Sequence, residues 1–275
     1  MKNILINTDA RFALVGHGYG LFYLYKELTR IGLKKPIIFT HQRKYHKRDL
    51  RELSHNRSLY QNIFDLKKET KIIEINNLKS KKFLKSLNKN KITHIFSSLN
   101  RWIFDKKTIK KYKNRIFNMH PTMLPEERGS GAFTFRIFNN NFFTCASIHL
   151  VDEGVDTGPV LLFTKKRSIK KDSVPEDFLV NSHKDYCILI KKFVMKIKNK
   201  GLFKVKKQII KKSFYLPRFF TDMMGAIDWS WDGRDISSFI KGCSTPYSGA
   251  WCKIFYKGKK IKIKIFDCKF IKRSN

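Results

Sequence analysis

The sequence predicts an α/β protein: a mostly parallel sheet covered on both faces, followed by a small, mainly β module. Two observations carry this. Through the first part of the chain, short apolar runs alternate with amphipathic stretches of helical period, the pattern of repeated β–α–β units. After Gly201 the alternation stops, and β-like runs follow at 250–256 and 260–270. The division is therefore placed at 1–203 and 204–275. With 275 residues, 42% of them hydrophobic and 14% aromatic, the chain can bury a sizeable core and is not disordered by composition.

The elements follow in order. Lys2–Asn7 and Phe12–Val15 are short apolar runs, either of which suits the first buried strand. From Gly18 to Ile31, residues Leu21, Tyr23, Leu24, Leu28 and Ile31 recur at helical spacing. Pro36–Thr40 reads as the next strand, and residues 42–60 as a long polar loop with some helix. Strands at Lys71–Ile75 and Thr93–Ser97 bracket a helix over Leu78–Leu87. A short helix at Lys106–Tyr112 precedes a strand at Arg115–Asn118. A helix over Gly129–Asn139, strands at Thr144–Leu150 and Val160–Thr164, and a long helix over Pro175–Lys198 complete the larger part. Asp235–Lys241 is a short helix in the last module. Gly16-His17-Gly18-Tyr19-Gly20 has only part of the dinucleotide fingerprint, and the next strand ends in Thr40-His41 rather than in an acid. It reads as a glycine-rich turn from strand to helix.

The net charge is +36, from 58 basic and 22 acidic residues, which suits polyanionic or phosphorylated partners. Lysine is spread along the whole chain, however, as compositional bias alone would spread it; the densest run is Lys191–Lys212. The five cysteines, Cys145, Cys187, Cys243, Cys252 and Cys268, contain no Cys-x-x-Cys pair, so neither a zinc ribbon nor a disulfide framework is indicated. His41, His46, His55, His149 and His183 show no ligand spacing and read as loop or surface residues, and no metal is expected. The N-terminal apolar run is too short for a signal peptide, and no stretch approaches the roughly 18 apolar residues of a membrane span. A cytoplasmic location with no membrane partner is the expectation.

The chemistry concentrates in Asn118-Met119-His120-Pro121-Thr122-Met123-Leu124-Pro125-Glu126-Glu127-Arg128-Gly129, followed 27 residues later by Asp156-Thr157-Gly158-Pro159. In parallel sheets ligands bind beyond the carboxyl ends of the strands, where Asn118 and His120 fall. Attack of a neutral amine on an acyl carbon builds negative charge on the carbonyl oxygen and positive charge on the nitrogen. An uncharged amide N–H can meet the first, and an imidazole can take the proton shed by the second. A carboxylate beside the imidazole fixes the ring and stabilises its charged form. Asn118, His120 and Asp156 supply those three groups.

Residues 117–162 resemble the catalytic core of the 10-formyltetrahydrofolate-dependent formyltransferases. That family carries Asn-x-His, then Pro-Ser-Leu-Leu-Pro-x-x-Arg-Gly, then Asp-x-Gly-x-Asp-Thr-Gly-Pro; this chain has Thr122-Met123 in place of Ser-Leu. The resemblance implies a Rossmann-like formyltransferase fold, a trio of Asn118, His120 and Asp156, and N10-formyltetrahydrofolate as formyl donor without a metal. It further implies donor contacts at Arg101, Trp102, Ile103, Leu124, Asp152, Gly154 and Asp156. A weaker likeness to the family's linker and second domain runs through Pro217-Arg218, Gly225–Trp229, Ile236 and Pro246–Ala250.

Two acceptors compete. The tRNA enzymes of the family carry a longer C-terminal barrel, whereas about 25 residues follow Ala250 here, too few for five strands. They also tend to place Ala-x-Pro and a Trp where this chain has Ser130-Gly131-Ala132-Phe133. The expected acceptor is therefore an amino sugar on a nucleotide, for example a 4-amino-4,6-dideoxy sugar. Methionyl-tRNA is the alternative, and a folate- or nucleotide-binding protein without turnover the remote one. Exposed β edges in the last module leave a homodimer open.

Overall fold

The computed structural model describes residues 3–46, 62–199, 201–269 and 271; most of the long loop expected over 42–60, and His55 within it, lie outside the described residues. The chain forms two compact units. The first comprises residues 1–128, 145–165 and 182–214. The second comprises residues 129–144, 166–181 and 215–275.

The first unit is built on a seven-stranded sheet in the order β10-β9-β6-β5-β2-β3-β4. Its strands are β2 (Phe12–Gly16), β3 (Ile37–Thr40), β4 (Ile72–Glu74), β5 (His94–Ser98), β6 (Ile116–His120), β9 (Ser147–Leu150) and β10 (Val160–Phe163). The five from β4 to β6 are parallel. Strand β9 runs antiparallel to β6, and β10 antiparallel to β9. Phe12–Gly16 thus enters the sheet, whereas β1 (Asn3–Leu5) pairs outside it with β12 (Leu202–Lys204). The short strands β7 (Glu127–Gly129) and β13 (Phe214–Leu216) were not anticipated.

Side chains alternate between the sheet's faces, and both faces are apolar. Phe12, Leu14, Phe96, Phe117, Met119, Ile148 and Leu150 join one core. Ala13, Val15, Ile95 and Ile116 join the other. Helices α1 (Gly18–Arg30) and α5 (Pro175–Asn199) cover the first face through Leu21, Leu24, Leu28, Leu189, Ile190 and Phe193. Helix α2 (Lys81–Lys89) covers the second with Phe83 and Leu87, and α3 (Lys106–Lys111) follows β5. The α2 N-terminus is capped by Ser80 Oγ on the Phe83 N–H, that of α3 by Asp105 Oδ1 on the Thr108 N–H. Each fully buried Phe or Leu contributes about 2–3 kcal/mol by leaving water.

Gly16 closes β2 at φ +122°, and a Cβ there would lie 1.9 Å from the Ser98 carbonyl oxygen. The glycine-rich segment is thus the strand-to-helix turn its spacing suggested. Among the described residues no helix is long and apolar enough to cross a membrane.

The second unit packs α4 (Ala132–Phe138) with α7 (Gly233–Gly242), and Phe138, Ile227, Phe239 and Ile240 share a small core. Strands β8 (Phe143–Thr144) and β11 (Arg167–Ser168) pair, α6 (Thr221–Met224) is a single turn, and β14 (Ala250–Tyr256) and β15 (Lys259–Ile265) form a hairpin. The predicted strand over Thr144–Leu150 is two separate strands, β8 and β9, which lie in different units.

Burial also reaches histidines that the sequence suggested were peripheral: His41, His46 and His149 are buried. His94, stacked on Phe117 at 6.1 Å, and His183, stacked on Tyr19 at 4.6 Å, are pushed down to about 4 by burial; the Arg115 charge adds to the shift at His94. An unfolded imidazole titrates near 6.5. Between the two values the unfolded chain binds protons that the folded one does not, so stability falls as pH drops from about 6.5 toward 4. The loss by pH 5 is on the order of 1–2 kcal/mol per histidine. Urea unfolding at pH 7 and pH 5 should show a smaller acid loss in His94→Phe than in the parent; equal losses would contradict the assignment.

Candidate active site

Strand β6 runs two residues beyond its predicted end, to His120, so His120 lies within the strand with Asn118 rather than after it. Phe117 and Met119 point into the first core, which turns Asn118 and His120 to the opposite face. The same alternation on β9 buries Ile148 and Leu150 in that core and turns His149 to the face of Asn118. Asn118 and His149 are direct cross-strand partners.

Asp156 arrives on the loop between β9 and β10. Its backbone is left-handed, φ +54°, a conformation Asp tolerates better than most residues. Asp152 Oδ1 accepts from the Gly154 N–H at 3.2 Å and the Thr157 hydroxyl at 2.6 Å. Arg128 Nη1 donates to the Val155 carbonyl at 3.2 Å, and Gln208 Nε2 to the carbonyls of Asp156 and Gly158 at 2.9 and 2.6 Å. At Gly158 a Cβ would lie 1.9 Å from the Leu150 carbonyl oxygen, so only glycine lets the loop approach β9 so closely. The side chain thus held has Oδ1 3.5 Å from Asn118 Nδ2 and 3.4 Å from His149 Nε2, and Oδ2 3.7 Å from His120 Nδ1.

The trio predicted from sequence is therefore brought together, but the imidazole is oriented otherwise than the triad pattern suggests. His120 Nε2 lies 3.0 Å from the Glu127 carbonyl oxygen, which also accepts from the Thr122 hydroxyl. A carbonyl only accepts, so Nε2 carries the proton and Nδ1 is the bare nitrogen. The backbone fixes the ring, and Asp156 waits opposite the nitrogen that can be protonated. The segment after β6 is held by Ser147 Oγ, which donates to the Thr122 carbonyl at 2.7 Å and accepts from the Leu124 N–H at 3.3 Å.

Burial lowers the His120 pKa below the ordinary value; the Asp156 carboxylate opposes that shift and His149 reinforces it. The ring is accordingly neutral near pH 7 and able to accept a proton.

The other predicted residues are dispersed. Asp152 and Gly154 share the Asp156 loop, Asp152 as the acceptor that closes its turn. Leu124 is buried. Arg101 and Trp102 line a pocket of about 450 Å³ with His41, Lys44, Tyr45 and Asn76, whereas Ile103 is 77% exposed and outside that lining. His149 and Gln208 escaped the sequence reading. His149 carries a signal in retrospect: it alternates with two apolar residues, Ile148 and Leu150, on a strand adjoining the motif. For Gln208 there was none.

A family model described as Formyl transferase matches residues 15–184, and one described as Formyl transferase, C-terminal domain, matches residues 221–275. Over 159 residues the chain is 27% identical to a methionyl-tRNA formyltransferase of Nitrobacter hamburgensis, covering 57% of this chain and 49% of that protein. The chain spans about half the length of the curated relatives it matches. A sugar N-formyltransferase from Shewanella sp. shares the fold with a TM-score of 0.67 at 17% identity, covering 96% of this chain and 99% of that one. An N-formyltransferase from Helicobacter canadensis, solved with folinic acid and dTDP-3-aminofucose, gives 0.62 at 17%, covering 85% and 80%.

The site geometry makes one direct demand. Titrated by NMR, His120 should have its midpoint below about 6.5, and Asp156→Asn should move it lower still, because the carboxylate that favours the charged ring is gone. An unchanged or higher midpoint in the variant would contradict the pairing.

Proposed function

Because the chain belongs to the formyl transferase family, we propose that it transfers a formyl group from N10-formyltetrahydrofolate to the primary amine of a nucleotide-linked amino sugar. The observation that carries this reading is the convergence of Asn118, His120 and Asp156 on one face at the carboxyl end of β6.

The steps follow from the groups present. The neutral amine attacks the formyl carbon, and an Asn118 N–H meets the oxygen as it becomes negative. His120 accepts the amine proton at Nδ1, and the imidazolium so formed faces the Asp156 carboxylate at 3.7 Å. Collapse of the tetrahedral intermediate breaks the bond to N10 of the folate. The same proton, returned from His120, leaves with N10 as tetrahydrofolate departs. We assign donor binding to Arg101, Trp102, Ile103 and Leu124, with the loop containing Asp152, Gly154 and Asp156. Arg101 and Lys44 flank the Tyr45 ring at 5.9 and 5.1 Å, giving the pocket beside Trp102 the positive charge that an anionic folate requires.

The sugar acceptor is supported by the fold shared nearly end to end with a sugar N-formyltransferase, and over most of its length with an N-formyltransferase solved with an amino sugar on dTDP. Methionyl-tRNA is kept as the second reading for a specific reason. On the β14–β15 hairpin, Trp251, Lys253 and Phe255 share a face with Lys260, Lys262 and Lys264, and Lys253 directly opposes Lys262. Like charges paired across strands destabilise a hairpin, and a basic, aromatic face suits a polyanion.

Incubation with N10-formyltetrahydrofolate and a panel of nucleotide-linked amino sugars, beside charged initiator tRNA, should add one formyl group by mass to a sugar; formylation of the tRNA alone would overturn the sugar reading. Asn118→Ala should lower kcat by about 10²–10³ and leave KM nearly unchanged, since its bond strengthens only as the oxyanion forms. A change confined to KM would refute that role.

A further inference from the structure

We propose that His149 is a positioning residue that holds the Asn118 carboxamide with its NH₂ group turned toward the reacting carbonyl oxygen. The proposal rests on the formyl-transfer reading, because that reaction is what requires the donor.

His149 is 2% exposed, and its Nδ1 lies 2.7 Å from the Leu150 carbonyl oxygen. That oxygen can only accept, so Nδ1 carries a proton, and in the ring's uncharged form Nε2 presents a bare lone pair. Asn118 Nδ2 sits 3.2 Å from that lone pair. A carboxamide has two nearly isosteric orientations. In the other one, Asn118 Oδ1 would face the Nε2 lone pair with no proton between them, in a buried site where such a clash is costly. Neutral His149 therefore selects the orientation observed.

One of the two amide hydrogens is committed to His149. The second has Asp156 Oδ1 at 3.5 Å, long for a hydrogen bond, and can turn to an oxygen that gains negative charge. His149 is not a second base: both ring nitrogens are engaged with protein groups, and its effect reaches the substrate only through Asn118. The tautomer is decisive. A proton on Nε2 would be donated to Asp156 Oδ1, 3.4 Å away, and the lone pair that orients Asn118 would be gone.

Two measurements test this. In protein labelled with ¹⁵N-histidine, the His149 resonances, identified by their loss in His149→Gln, should show a protonated Nδ1 and an unprotonated Nε2 near neutral pH. A protonated Nε2 overturns the proposal, whether or not turnover is observed. In kinetics, His149→Leu should lower kcat by about 10²–10³ with KM within a few-fold, and His149→Gln, whose amide oxygen can replace the Nε2 acceptor, should recover at least about tenfold of that loss. Added to Asn118→Ala, His149→Leu should cost little more, because the two residues act as one donor. Equal losses in the Leu and Gln variants, a loss confined to KM, or additive losses would each overturn it. A parent protein that formylates no acceptor would instead overturn the formyl-transfer reading, and the tautomer measurement would still decide whether His149 orients Asn118.

Discussion

Two-residue alternation along β6, locked by burial of one face, is the constraint on which the site depends. Phe117 and Met119 are committed to a core shared with α1 and α5, so β6 cannot rotate or slip by one residue without moving two large apolar side chains out of that core. The same commitment aims Asn118 and His120 at the opposite face. Because β9 obeys the same rule through Ile148 and Leu150, its antiparallel pairing sets His149 directly against Asn118. Apolar packing on one side of the sheet thus places polar chemistry on the other.

Asp156 is held by different means. No core packing positions it; a loop does, and the loop is tied at several carbonyls by Arg128 and Gln208 and at its turn by Asp152. Arg128 thus does structural work at a distance from its own place in the motif, across 27 residues of sequence to Val155. The left-handed backbone at Asp156 and the close approach at Gly158 are affordable only because these contacts over-determine the loop. A carboxylate surrounded by Asn118, His120 and His149 then joins the three groups, and burial favours the neutral form of His120.

How legible this was in the sequence differs by kind of feature. Helices α1 and α5 and the parallel strands could be read because apolar period is a local property. The break between β8 and β9 could not, because Thr144–Leu150 is one apolar run and only pairing with different partners divides it. Charge showed a similar limit: lysine looks evenly scattered along the chain, yet strand pairing gathers Lys260, Lys262 and Lys264 with Trp251 and Phe255 on one hairpin face.

The sequence by itself determined the alternating elements, the glycine turn at Gly16 and the identity of Asn118, His120 and Asp156 as a candidate trio, since each rests on local pattern or on residue type. Only the tertiary structure decided that the Glu127 carbonyl, and not a carboxylate, orients His120, that Gln208 braces the Asp156 loop, and that His149 stands against Asn118. Those relations are set by strand order, register and loop closure. They join residues up to 52 positions apart, and no local preference of the chain encodes them.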